Sequence, residues 1–178
     1  VPTIPLGGPF YDAALTNGSI VARIQIKLQR REQEVPKLYY PKYYEPGSLH
    51  VVEVQKTRGG EVSASQKMQE NGIVIGDSDS ETRLTRPYRF SDFDILAVNM
   101  EPSSRNWRDF RYTVASWLLS RVVKKETVIE IFQPVASVPN HVWTDDLAIC
   151  LEWFSSGRRD TVLTELLHRS KAKKARGT

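Results

Sequence analysis

Asp12, Gln25 and Lys27 bring a carboxylate, an amide and an ammonium into one short stretch of chain. Gln25 and Lys27 are two positions apart, so in a strand they share a face. Residues 16–19 read Thr-Asn-Gly-Ser, and an Asn-Gly pair between apolar residues signals a hairpin turn. A hairpin there pairs its strands antiparallel and sets Asp12 beside the Gln25–Lys27 face. Phosphodiester hydrolysis asks for that combination. Hard oxygen ligands hold Mg²⁺ while leaving positions for water and a phosphate oxygen. A bound divalent ion polarises the phosphate and eases the ionisation of water. Lys27 is placed to orient or help deprotonate the attacking water and to balance charge building on the phosphoryl group. Gln25 supplies a neutral oxygen where a carboxylate would bind more tightly. A further oxygen is therefore expected from Asp12's neighbours, a backbone carbonyl or an upstream Glu.

Phe10-Tyr11-Asp12, the Asn-Gly turn and Ile24-Gln25-Ile26-Lys27 resemble the split catalytic signature of the PD-(D/E)XK nucleases, in the variant with glutamine at the third position. That superfamily includes restriction endonucleases, Holliday-junction resolvases and the methylation-directed Mrr-like enzymes. The resemblance implies Asp12 and Gln25 as ligands of Mg²⁺, with Mn²⁺ able to substitute, and Lys27 as the residue serving the water. It implies a restriction-endonuclease-like α/β fold, a mixed β-sheet flanked by helices, acting on double-stranded DNA in restriction or defence. Many nucleases pair to cut both strands, so a homodimer is compatible with it. Two features depart from the family pattern. Pro9 stands three residues ahead of Asp12 rather than adjacent, and none of the eleven residues before Asp12 is acidic. The helix that often brings another carboxylate is thus absent or supplied differently.

Other constellations compete. In residues 52–60, Glu53 and Gln55 fall on one strand face and Lys56 on the other, which breaks an E-x-K arrangement by one residue. A bulge would repair it; Lys56 and Arg58 before Gly59-Gly60 read better as phosphate contacts. Asp92 and Asp94 share a face and form a second candidate metal pair, with Asp94 and Glu53 the natural carboxylates if residues 49–57 were the active strand. The structural alternative has Asp92 ending a turn and Asp94 pairing with Arg89 or Arg86. Duplex DNA would be positioned by Arg30, Arg31, Lys56, Arg58 and the basic end of the chain, including Lys171, Lys173 and Lys174. The three histidines are too scattered for a three-histidine zinc site. No Gly-x-x-x-x-Gly-Lys loop is present to cradle a nucleotide phosphate. Cys150 reads as core, as do the four tryptophans, with Trp143 the one to test for an interface.

The elements that must position these residues follow from periodicity. Strict alternation predicts a strand over 20–28, with Val21, Arg23, Gln25 and Lys27 on the polar face and Ala22, Ile24, Ile26 and Leu28 on the apolar one. Further strands are expected over 10–15, 49–57, 93–100 and 128–135, and a strand running into a short helix over 110–120. Prolines among the tyrosines of 32–46 argue for a loop. Residues 61–89 read as a long polar excursion. Thr144 is a plausible cap for a helix reaching Ser155, and residues 160–169 carry the apolar spacing of a last helix.

At 178 residues the chain fits one domain, with apolar residues at 40% and charged residues at 26%. A core over 1–157 and a C-terminal helix and basic tail over 158–178 are expected. Twenty-five Lys and Arg against 21 Asp and Glu give a formal charge of +4, which permits an anionic partner without establishing one. A single cysteine allows no intrachain disulfide. The apolar runs are too short to span a bilayer and no leader pattern opens the chain, so a cytoplasmic protein is the expectation. The chain starts at Val1 rather than Met, which leaves room for a longer protein. A non-catalytic interaction domain of a larger or viral protein, with a purely structural hairpin, is the alternative from another class.

Overall fold

The computed structural model describes residues 2–3, 11–16, 18–39, 49–54 and 87–162. They form a mixed α/β domain made mostly of strands. A five-stranded sheet contains β1 (Pro2–Thr3), β2 (Ala13–Thr16), β3 (Val21–Leu28), β7 (Ile95–Asn99) and β8 (Phe110–Val114), in the order β1-β2-β3-β7-β8. Between β3 and β7 come β4 (Arg31–Glu32), β5 (Val35–Pro36) and β6 (Leu49–Glu53). After β8 come β9 (Ser120–Val123), β10 (Glu126–Ile129) and β11 (Phe132–Ala136). The helices among the described residues are α1 (Glu101–Ser104) and α2 (Leu147–Ser155), with a 3-10 turn at Ala115–Trp117. Among those residues no helix is long and apolar enough to cross a membrane.

The β2–β3 hairpin forms where the Asn-Gly signal puts it. Thr16 pairs with Val21, Gly18 takes a left-handed φ of 91°, and the Gly18 N–H donates to Thr16 Oγ1 at 3.1 Å. A residue with a Cβ is strained at such a φ. β3 then runs parallel to β7, from Ile24 opposite Ile95 to Leu28 opposite Asn99. Every residue of β7 is buried, as its continuous apolar run dictates for a strand with partners on both edges. An ion pair locks the start of this parallel contact. Arg23 Nε and Nη2 donate to the two oxygens of Asp94, each at 2.8 Å, and the Arg23 backbone N–H donates to Asp94 Oδ2 at 2.8 Å.

The expected alternation of β3 holds only for its first half. Ala22 and Ile24 are buried, but Ile26 and Leu28 are about two-fifths exposed, at 43% and 40%, while Gln25 is only 2% exposed. Core packing reaches both faces of the strand near Gln25 and leaves the apolar face beyond Ile24 partly uncovered. Periodicity alone cannot show this.

Residues 128–135 are not one strand. The chain turns at Lys124-Lys125 to pair β9 with β10, then starts again as β11, antiparallel to β6. Pro134 lies inside β11 opposite Val51 rather than ending a strand. This ribbon has only two strands, so the N–H that proline lacks falls on an unpaired edge. The tight turns at Gln33-Glu34 and Lys124-Lys125 hold both central residues at positive φ, from 48° to 69°, without glycine or asparagine. Short β4 and β5 therefore stand where the proline spacing predicts a loop.

The α2 helix ends as expected, with Gly157 at φ 66° just beyond it. Its cap is Asp146, whose side chain accepts from the Ala148 N–H at 2.7 Å. Thr144 instead bridges to Tyr112 and holds the Asp146 N–H through its hydroxyl. The packed core does not stop at residue 157. The Arg158 carbonyl accepts from Trp117 Nε1 at 3.0 Å, the Arg158 guanidinium lies over the Trp117 and Trp153 rings, and Val162 is buried. Residues 160–162 are not helical; the rest of the expected last helix and the basic tail lies outside the described residues. So do Lys56, Arg58, Lys171, Lys173, Lys174, Gln55 and most of the polar excursion.

Candidate active site

Asp12 directly precedes Ala13, the partner of Ile24, so the hairpin register sets it across from Gln25. The Asp12 N–H donates to the Ile24 carbonyl at 2.9 Å, which continues the ladder one step beyond β2. Asp12 is exposed and its Oδ2 accepts twice, from the Gln25 side-chain amide and from the Ile26 backbone N–H at 2.7 Å. Gln25 Nε2 also lies 3.4 Å from the Ile26 carbonyl oxygen. Two oxygens, one of the Asp12 carboxylate and the Ile26 carbonyl, thus face the Gln25 amide nitrogen; the amide oxygen would join them only after a half-turn of the amide.

Lys27 is half-buried on the same face, two residues beyond Gln25, with its ammonium 5.7 Å from the Tyr88 ring centroid. Tyr88 is the residue that sequence reasoning passed over. Its hydroxyl is pushed above the ordinary tyrosine range, first by burial and then by the nearby charges of Asp12 and Asp92. It sits between the polar excursion of the sequence and β7 in a stretch without periodicity, so only the fold brings it near Asp12. Its ring meets Phe93 edge-on at 5.6 Å, and its carbonyl accepts from the Ile129 N–H at 2.9 Å.

The secondary carboxylates do not join this cluster as ligands. Asp94 accepts three hydrogen bonds from Arg23 rather than pairing with Arg89, while Arg86 lies outside the described residues. Asp92 closes a turn, as the structural alternative has it, accepting from the Arg89 N–H at 2.8 Å. Glu53 pairs with Arg30, whose guanidinium also lies 4.9 Å over the Phe132 ring. Among the described residues no three His, Cys, Asp or Glu side chains converge on a cation position. A metal held here would therefore have one carboxylate, one amide and one backbone carbonyl to draw on. Such a set fits a hard ion that keeps several waters and gains further oxygens from substrate phosphates. It does not fit a closed, all-protein cage.

Of the proposed DNA contacts, Arg30 is committed to Glu53 and Phe132, while Arg31 is exposed and only loosely paired with Glu34 at 3.3 Å. Trp143 is 1% exposed and so belongs to the core, not to an interface. Trp107 departs from the expectation in the opposite sense, at 66% exposed. Cys150 is fully buried, and burial pushes its thiol up to about 12, as befits a core residue rather than a nucleophile. No protein-family model, no curated protein and no solved structure matches the chain.

Proposed function

We propose that the chain is a metal-dependent endonuclease hydrolysing DNA phosphodiester bonds, with Asp12, Gln25 and Lys27 at its centre. The single observation that supports this most is the hairpin register, which sets Asp12 against Gln25 and the Ile26 backbone with Lys27 next on the same face. On this reading the mixed sheet is a restriction-endonuclease-like core of PD-(D/E)XK type, and a cytoplasmic restriction or defence role on duplex DNA is the natural setting. A homodimer would let two such sites cut both strands.

Asp12 and Gln25, with the Ile26 carbonyl beside them, would hold Mg²⁺ or Mn²⁺. The ion supplies Lewis-acid activation of the scissile phosphate. Lys27 positions the attacking water and offsets the negative charge that develops on the phosphoryl oxygens. Tyr88, whose hydroxyl burial and then Asp12 and Asp92 push further above the ordinary tyrosine range, would offer a protonated hydroxyl near this site. Water attacks phosphorus, the bond to the leaving oxygen breaks, and a phosphomonoester and a hydroxyl result.

A second reading, a non-catalytic interaction or structural domain, draws on a specific feature. The nitrogen of the Gln25 amide, not its oxygen, faces Asp12, so the two side chains satisfy each other directly. Incubating the purified chain with duplex DNA and Mg²⁺ or Mn²⁺ separates the two. The nuclease reading expects cleavage, slowed about 10²- to 10⁴-fold by Lys27→Ala. Intact DNA and RNA in every condition, with no measurable effect of Lys27→Ala, would leave the structural reading.

A further inference from the structure

We propose that the turn over residues 103–108 is a nucleobase-stacking platform that holds a nucleic-acid strand on the same face of β3 as Gln25 and Lys27. That this strand, unpaired where it stacks, belongs to the DNA being cut rests on the phosphodiester reading of the Asp12 cluster. Gln29 carries the link. It lies four residues beyond Gln25, about 13 Å along the strand, so its side chain shares the face of Gln25 and Lys27. Its Oε1 accepts from the Ser103 N–H at 3.1 Å, which ties the turn to that face.

The turn presents Trp107 to solvent at 66% exposure, whereas Trp117 and Trp143 are each 1% exposed. Its backbone is fixed from several sides. Asn99 Nδ2 donates to the Trp107 carbonyl at 2.8 Å, Asn106 Oδ1 accepts from the Arg108 N–H at 2.9 Å, and the Met100 N–H donates to the Asp109 carbonyl at 2.8 Å. Arg105 adopts a left-handed φ of 57° and its N–H donates to the Glu101 carbonyl at 2.8 Å. A platform ordered in advance loses little entropy when a ligand arrives.

The charge around Trp107 indicates the ligand. Arg105 and Arg108 are exposed, and among the described residues no carboxylate pairs with either. Of the two carboxylates flanking the turn in sequence, Asp109 is taken by Arg111 at 2.6 Å, and Glu101 meets Arg105 through its backbone carbonyl. The other exposed residues of the turn besides the two arginines are Ser103, Ser104 and Asn106, all polar. A protein hot spot would be ringed by apolar contacts that exclude water. A lone indole between two uncompensated guanidiniums suits a flat base flanked by phosphates instead.

The test is a fluorescence titration of the chain with a single-stranded oligothymidylate of about ten nucleotides, within ordinary single-strand site sizes, in EDTA so that no cleavage occurs. Indole quenching is expected. Trp107→Ala should weaken binding about 5- to 150-fold, while Trp107→Phe keeps most of it. Replacing Arg105 and Arg108 by Gln should reduce the slope of log affinity against log salt by about 1.4, two phosphates' worth for a single strand. No binding by the wild type, or Trp107→Ala binding as tightly as the wild type, overturns the platform. DNA cleavage with Mn²⁺ together with that second result leaves the nuclease standing without the platform. Trp107-dependent binding by a chain that cuts nothing leaves the platform and sinks the nuclease.

Discussion

Asp12 and Asp94 are both carboxylates at the margin of one sheet, yet their partners assign them opposite work. Asp94 accepts from three donors of Arg23, its backbone N–H and two guanidinium nitrogens, an arrangement that fixes strand position. Asp12 is exposed, and its two donors are a rotatable amide and one backbone N–H. The two residues should therefore respond differently to metal. Asp94→Asn should cost about 1–3 kcal/mol of stability, because it weakens a half-buried charged hydrogen-bond set. The rise in melting temperature on adding Mn²⁺ should survive in that variant. Asp12→Asn should lose the Mn²⁺-induced rise, since stabilisation by a ligand requires the site that binds it. Thermal melts with and without Mn²⁺ check this. A metal response abolished by Asp94→Asn and kept by Asp12→Asn would reverse the assignment.

Among the elements, the β6–β11 ribbon is where a pH dependence of stability is expected. His50 of β6 is half-buried opposite Val135, and its Nδ1 has no hydrogen-bond partner among the described residues. Burial, and then the Arg111 charge, lower its pKa below the ordinary value of 6.5. The unfolded chain thus takes up a proton near pH 6.5 while the folded chain still refuses it, so stability is full above that pH and falls as pH drops below it. The urea midpoint should be flat from about pH 8 to 7 and decline below about 6.5. His50→Gln should flatten the decline; an unchanged decline in that variant would place the acid sensitivity elsewhere. The β6–β11 pairing itself was half legible. The apolar run of β6 announces a strand, but Pro134 reads as a terminator until the ribbon's free edge is known. The β4–β5 and β9–β10 hairpins hide for a different reason, since Gln33-Glu34 and Lys124-Lys125 take positive φ without the glycine or asparagine that signals such turns. The β2–β3 hairpin, β7 and the end of α2 were legible because each has a local cause: an Asn-Gly pair, an unbroken apolar run, and an apolar period of three to four.

On the scale of the molecule, the mixed sheet gathers its chemistry along one strand. The β3 face carries Arg23, Gln25 and Lys27, and Gln29 continues it just beyond the strand, linking a structural ion pair, one candidate metal ligand and the anchor of the Trp107 turn. The spacing of Gln25 and Lys27 and their register with Asp12 could be read from the sequence. The burial of Gln25, the approach of Tyr88 and the exposure of Trp107 could not, because each depends on segments far apart in the chain. The central claim is that Asp12 and Gln25 hold a divalent ion. It is tested most directly by a crystal structure with Mn²⁺ and a DNA oligonucleotide, read through the anomalous signal of the metal. The account predicts a peak beside Asp12, at about 2.1–2.3 Å from its carboxylate, with Gln25 Oε1 turned toward it and a phosphate completing the shell. An Asp12 still bonded to the Gln25 amide nitrogen, with no peak at saturating Mn²⁺, would contradict it.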